Sequence, residues 1–176
     1  PFDQFGVSVS IDGELALVGA STVDNETGKP SGAAYLYRFD GFTWISDQTL
    51  TASDAPTHAQ FGISVSVRGD VSVVGASEAD CDAGESCGAA YLYRFNGSRW
   101  VEEQRLRASD GRAYDRFGSA VAAFGDVALV GAFCNDCAKG NDCGSAYVFR
   151  FDGATWIEEQ KLVASDSTAG DFFGYS

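Results

Sequence analysis

Five cysteines, one histidine and an excess of carboxylates are the groups with which this 176-residue chain could do chemistry. Cys81-x5-Cys87 and Cys137-x5-Cys143 are two pairs of identical spacing, and they read as two small disulfides. Closing so short a loop contributes about 2 kcal/mol at most in the chain-entropy model. The expected role is therefore local: each bond pins a Gly- and Asp-rich loop in an oxidising compartment. Cys134 is the odd thiol, either free or bonded to a partner outside these residues. The rival reading is zinc, because Cys134-x2-Cys137 followed by Cys143 has ligand-like spacing. Zinc takes four ligands, however, and the Cys81/Cys87 pair has no counterpart to Cys134.

The other candidates are weaker. Arg68-Gly69-Asp70 is a cell-adhesion tripeptide, but a three-residue match recurs often by chance. Asn25-Glu26-Thr27 and Asn96-Gly97-Ser98 are N-glycosylation sequons, which matter if the chain passes through a secretory pathway. Asp54, Asp110 and Asp166 recur at a fixed interval, and Asp3, Asp115 and Asp171 recur beside them. Repeated acids of this kind suit turn or capping roles, since Asp bonds nearby backbone N–H groups, although weak cation binding stays open. His58, alone of its type, reads as a solvated loop residue. No nucleophile–base set, G-x-S-x-G or phosphate-cradling loop is present, so no catalysis is expected.

The elements that position these groups follow from a repeat. Phe-Gly recurs at Phe5-Gly6, Phe61-Gly62, Phe117-Gly118 and Phe173-Gly174, and "SGAAYLYRFDG", "CGAAYLYRFNG" and "CGSAYVFRFDG" fall in the same register. A period of this size marks a repeat architecture, with units at 5–60, 61–116 and 117–172 and a fourth opening at 173–176. Each unit predicts four strands. In the first, Phe5 to Ile11 alternates serine with Val7, Val9 and Ile11, the period-two pattern of a strand. Asp12-Gly13 turns the chain into Glu14 to Ala20. A variable loop (21–32) leads to Ala33 to Phe39, Asp40-Gly41 turns again, and the fourth strand runs from Trp44 to about Ala52.

Four antiparallel strands per repeat, apolar on both faces, describe β-propeller blades that stack face to face. A β-solenoid is the rival, but its coils are much shorter. Three blades do not close a ring, which takes about four to eight. The expected fold is thus an all-β propeller segment of three blades within a larger, about seven-bladed ring. Further blades of the same chain or other copies would close it. The chain has no methionine and both ends cut the motif, so a processed or excised piece is expected.

"FGVSVSIDGELALVGA", "FGISVSVRGDVSVVGA" and "FGSAVAAFGDVALVGA" resemble the FG-GAP repeats of integrin α-subunit propellers and many surface proteins. The resemblance covers essentially the whole chain. It implies an extracellular propeller, usually seven-bladed, used for binding. It departs from the integrin pattern where calcium loops would sit: "SIDGEL", "SVRGDV" and "AAFGDV" are tight turns with one or two carboxylates, while calcium needs six to eight oxygens. No cofactor is therefore expected. In this alignment Arg68-Gly69-Asp70 occupies the turn that is Asp12-Gly13-Glu14 in the first unit, and only the arginine is particular to it.

The formal net charge of −13 repels phosphate backbones and anionic lipid, so neither nucleic acid nor membrane insertion is expected. The expected function is a secreted or cell-surface interaction or structural part, in adhesion or filament assembly. Its protein or glycan partner would dock at the variable loops 21–32, 77–88 and 133–144. The alternatives are a lectin using Trp44, Trp100, Trp156 and the paired tyrosines, or the non-catalytic propeller of a larger secreted enzyme.

Overall fold

The computed structural model describes residues 3–24, 28–54 and 57–176. Twelve strands form three four-stranded antiparallel sheets, each meandering in sequence order. Blade 1 holds β1 (Phe5–Asp12), β2 (Leu15–Ala20), β3 (Ala33–Phe39) and β4 (Trp44–Leu50). Blade 2 holds β5 (Phe61–Arg68), β6 (Val71–Ala76), β7 (Ala89–Phe95) and β8 (Trp100–Leu106). Blade 3 holds β9 (Phe117–Phe124), β10 (Val127–Ala132), β11 (Ser145–Phe151) and β12 (Trp156–Leu162). The chain is all-β, and the sheets are the blades of a propeller segment. The last strand of blade 1 stops at Leu50, paired with Ala34, rather than near Ala52. Beyond it the chain turns at Ser53-Asp54 toward the next blade.

Each blade offers two chemically different faces. The rear of blade 2 presents Phe61, Tyr91, Tyr93 and Trp100 to the aliphatic front of blade 1, Leu17, Leu36 and Leu50, in one buried cluster. Phe117, Tyr147, Phe149 and Trp156 of blade 3 meet Val71, Val73, Leu92 and Leu106 of blade 2 in the same way. Phe61 and Phe117 sit edge-on to the paired aromatics, at 5.3 Å from Tyr91 and 5.5 Å from Tyr147, a favoured ring geometry.

Polar groups repeat across the junctions. Ser8 Oγ donates to the Gly62 carbonyl and Ser64 Oγ to the Gly118 carbonyl, each at 2.8 Å. The Gln48 amide holds both the N–H and the carbonyl of Trp100, and Gln104 does the same for Trp156. At the outer end Arg38 lies over Phe95 and Arg94 over Phe151. Glycine makes this stacking possible: a Cβ on Gly19 or Gly75 would overlap the carbonyl oxygen of Gly62 or Gly118 in the next blade.

The outermost faces stay open in these three blades. Phe5, Val9, Ile11 and Trp44 are exposed on blade 1, and Leu129 on blade 3. Phe173 forms a parallel bridge with Gly144, as Phe61 does with Gly32 and Phe117 with Gly88. Its Phe-Gly therefore rests on blade 3 in the place where each later blade begins.

Candidate functional site

The β2–β3, β6–β7 and β10–β11 loops lie at one end of the blades, together with the segments that cross from blade to blade. The two are laced by backbone bonds: Tyr114 N–H donates to Glu85 O, Arg116 to Ser86 O and Phe117 to Cys87 O. Phe172 and Phe173 repeat this with Asp142 and Cys143. The second and third loops are stapled, Cys81 to Cys87 and Cys137 to Cys143, with Cα separations of 5.8 and 5.7 Å. Backbone N–H and C=O of Cys81 also pair with Gly84, as Cys137 does with Gly140. The first blade manages its loop with Ser31 N–H and Gly32 N–H on the Val23 carbonyl. Asn25 lies outside the described residues.

Cys134 is the free cysteine, half-buried beside these staples. Burial, with Asp142 next to it, pushes its thiol up to about 11. A thiol held protonated at neutral pH is a poor nucleophile and a poor metal ligand. Among the described residues no three His, Cys, Asp or Glu side chains converge on a metal-sized site.

The repeated acids do more than cap turns. Asp54 accepts the Tyr91 hydroxyl at 2.8 Å and pairs with Arg105 of the next blade. Asp110 accepts from Tyr147 at 2.7 Å and from Lys161 at 2.6 Å. Ser53 and Ser109 each give a backbone N–H and a hydroxyl to one carboxylate, Glu102 and Glu158. Sequence repetition could not distinguish a bond within a unit from one between units. Asp115 and Asp171 do cap their own turns, accepting the N–H of Arg112 and Thr168.

The junction of blades 2 and 3 holds a buried polar set that the sequence reading missed. Asn135 donates to Asp115 at 2.8 Å and accepts from Ser145 and Lys161. The same positions one repeat earlier are Ala59, Ala79 and Ala89, all fully buried. Three alanines changed together to three mutually bonded polar residues is a signal legible only by comparing repeats column by column.

Burial pushes the Asp110 carboxyl up, but the bonds from Lys161 and Tyr147 outweigh it and leave the group below its ordinary value. A carboxylate with a depressed folded-state pKa stabilises above its unfolded value and loses that contribution as the pH falls through the folded one. Asp110→Asn should therefore cost up to about 1 kcal/mol at pH 7, since the pair is partly exposed. Urea titrations should show that gap closing below about pH 4. A gap independent of pH would remove the electrostatic explanation.

The remaining candidates are accounted for structurally. Gly69 turns the β5–β6 hairpin at φ 59°, far along the blade from the loops. Arg68 pairs with Asp12 at 3.0 Å and lies over Phe124, while Asp70 pairs with Arg94 at 3.4 Å. Both charges of the tripeptide thus have partners, Arg68 across to blade 1 and Asp70 within blade 2. Asn96 is exposed on its hairpin, its side-chain oxygen accepting from Ser98 and Arg99. Trp100 and Trp156 are each 3% exposed, so they are interface core rather than platforms. His58 is exposed.

Two further features shape the loop end. Between blades 1 and 2 a polar hollow of about 360 Å³ carries Glu78, Asp80 and Glu85 beside His58 and Thr57. At the axial mouth a hollow of about 390 Å³ lies between Val7, Ile63, Arg116, Phe133 and Tyr175. The arrangement is an acidic loop end, stapled in blades 2 and 3.

The sequence profile of the FG-GAP repeat matches residues 1–37, 44–93, 100–149 and 156–176. No curated protein sequence matches the chain. Among solved structures it is similar to the crystal structure of Saccharomyces cerevisiae Sqt1 (TM-score 0.57, 12% identity, 95% of this chain and 38% of that one). It is also similar to a europium-containing methanol dehydrogenase (TM-score 0.53, 9% identity, 88% of this chain and 24% of that one). At such identities the likeness shows the fold alone, and this chain spans well under half the length of either.

Proposed function

Because the chain belongs to the FG-GAP repeat family, we propose that it acts as a binding propeller segment outside the cell or on its surface. It engages a protein partner through the loops 77–88 and 133–144 and performs no catalysis. The observation that carries this reading is the division of labour within the repeats. The strands repeat closely and pack blade on blade through one recurring set of contacts, whereas the stapled loops differ from blade to blade. Loops on a rigid scaffold are where recognition concentrates. The staples support an oxidising setting, and among the described residues no helix is long and apolar enough to cross a membrane.

Further blades pack on the open face of blade 3, beginning with Phe173-Gly174. The role is adhesion or assembly, and a glycan on Asn96 fits the exposed hairpin. The lectin alternative would rest on Trp44, since the tryptophans of blades 2 and 3 are interior.

The test is attachment of the immobilised protein to cells or matrix, repeated with residues 77–88 and 133–144 each replaced by the blade 1 loop 21–32. The exchanges should abolish attachment while the far-UV circular dichroism stays that of folded blades, with Tm lowered by the loss of one staple. Attachment unchanged by both exchanges would sink the loop assignment. In the same assay Asp70→Glu should leave attachment at the wild-type level, because Asp70 serves the Arg94 pair. A loss specific to that variant would return the function to the tripeptide.

A further inference from the structure

The axial mouth breaks the repeat in a directed way. The residue before each Phe-Gly has the same left-handed backbone, with φ of 52° at Gln4, 56° at Gln60, 59° at Arg116 and 53° at Phe172. The four side chains therefore leave the chain at equivalent points around the axis. In the first two units the glutamine accepts a hydroxyl from its own blade, Ser21 at 2.6 Å and Ser77 at 3.4 Å. In the third, Arg116 replaces the glutamine and Phe133 replaces the serine, with the guanidinium 5.9 Å from the ring centroid. Phe133 is in turn edge-on to Phe172 at 5.8 Å and to Tyr175 at 5.1 Å.

Arg116 is only partly neutralised. Its Nη1 lies 3.0 Å from Glu78 Oε1, and its side chain remains 40% exposed. The other oxygen of Glu78 is taken by the Ser86 hydroxyl at 2.6 Å. Nε and Nη2 of Arg116 have no partner among the described residues. Arg116 lines a hollow of about 390 Å³ together with Val7, Ile63, Phe133 and Tyr175. The lining is mixed, with Gln60, Ser77 and Ser119 beside Arg116 and the four apolar side chains, so a ligand there must satisfy polar groups as well as cover apolar ones. A guanidinium steadied by an aromatic ring and offering paired N–H donors suits a carboxylate.

We infer that the axial mouth is a binding site for a carboxylate carried on an apolar or aromatic body. Arg116 takes the carboxylate while Val7, Ile63, Phe133 and Tyr175 enclose the body. The ligand is a free arylalkyl carboxylate or a glutamate beside an aromatic residue in a partner, which share this chemistry. The inference does not depend on where the protein resides or on what occupies the outer loops.

The test is an NMR titration of the whole chain with N-acetyl-L-phenylalanine, its carboxamide, and a capped hexapeptide with one Glu beside one Phe. The free acid should shift the amides of Ile63 and Ser119 saturably, at least about tenfold more tightly than the carboxamide. Arg116→Gln, which installs the residue of the other two units, should erase that preference while distant amides keep their positions. Arg116→Lys should retain part of it. A hexapeptide binding tenfold tighter than the free acid assigns the site to a protein segment, and equal affinity assigns it to a small molecule. No saturable shift at Ile63 and Ser119, equal binding of acid and carboxamide, or a preference untouched in Arg116→Gln overturns the site.

Discussion

Gly75→Ala should destabilise the protein by about 3 kcal/mol or more, at or beyond the upper end for overpacking. Gly75 lies in β6 with ordinary strand backbone, so alanine brings no local strain there. Its Cβ would overlap the Gly118 carbonyl oxygen and the Ser64 hydroxyl that donates to it. The serine can rotate away, but the carbonyl belongs to the first strand of blade 3 and cannot retreat without parting the blades. For a chain of this size the expected fall in Tm is roughly 6–12 °C. Gly6→Ala is the internal control. Gly6 has the same left-handed φ as Gly62 and Gly118, yet a Cβ there meets nothing within 4 Å. Its cost should be the backbone strain alone, about 1–2 kcal/mol. Urea unfolding followed by tryptophan fluorescence measures both, and equal losses would mean that close blade approach does not hold the stack.

Phe117→Ala carries the second large effect. Phe117 is 1% exposed and is pinned between two rings, 5.5 Å from Tyr147 and 5.9 Å from Phe149. Removing a buried phenylalanine deletes its transfer free energy and leaves a cavity, together about 3–5 kcal/mol. Phe5 occupies the same position in blade 1, is 57% exposed and, among the described residues, meets the ring of Tyr35 alone. Phe5→Ala should cost less than about 1 kcal/mol, as surface changes do. The difference between two substitutions at one repeat position isolates the energy of blade stacking. If both cost the same, the aromatic cluster contributes within the blade rather than between blades.

These contrasts show what the sequence could and could not convey. Strand placement was legible because serine alternates with Val7, Val9 and Ile11, and because Asp40-Gly41, Asn96-Gly97 and Asp152-Gly153 mark the outer hairpins at constant spacing. The cysteine pairing was legible because two loops share one spacing. The partners of Asp54 and Asp110 were not, because a repeat gives every unit the same residues and hides which neighbour each one meets. The Asp115, Asn135 and Ser145 set was hidden for a different reason. Each residue alone looks like an ordinary loop polar group, and only their joint replacement of Ala59, Ala79 and Ala89 marks a buried network. Arg116 and Phe133 likewise become informative only beside Gln60 and Ser77, once the shared φ shows that their side chains point alike.

The binding reading rests on stapled loops displayed in an oxidising exterior, and thiol mapping tests that most directly. Protein taken from its natural source would be denatured without reductant, alkylated and digested, and the peptides carrying these five cysteines mapped. Four of the five are bonded in pairs and Cys134 is free, so of these five Cys134 alone should be alkylated. Alkylation of all five would place the protein in a reducing compartment, leave the loops unstapled and contradict an extracellular binding role.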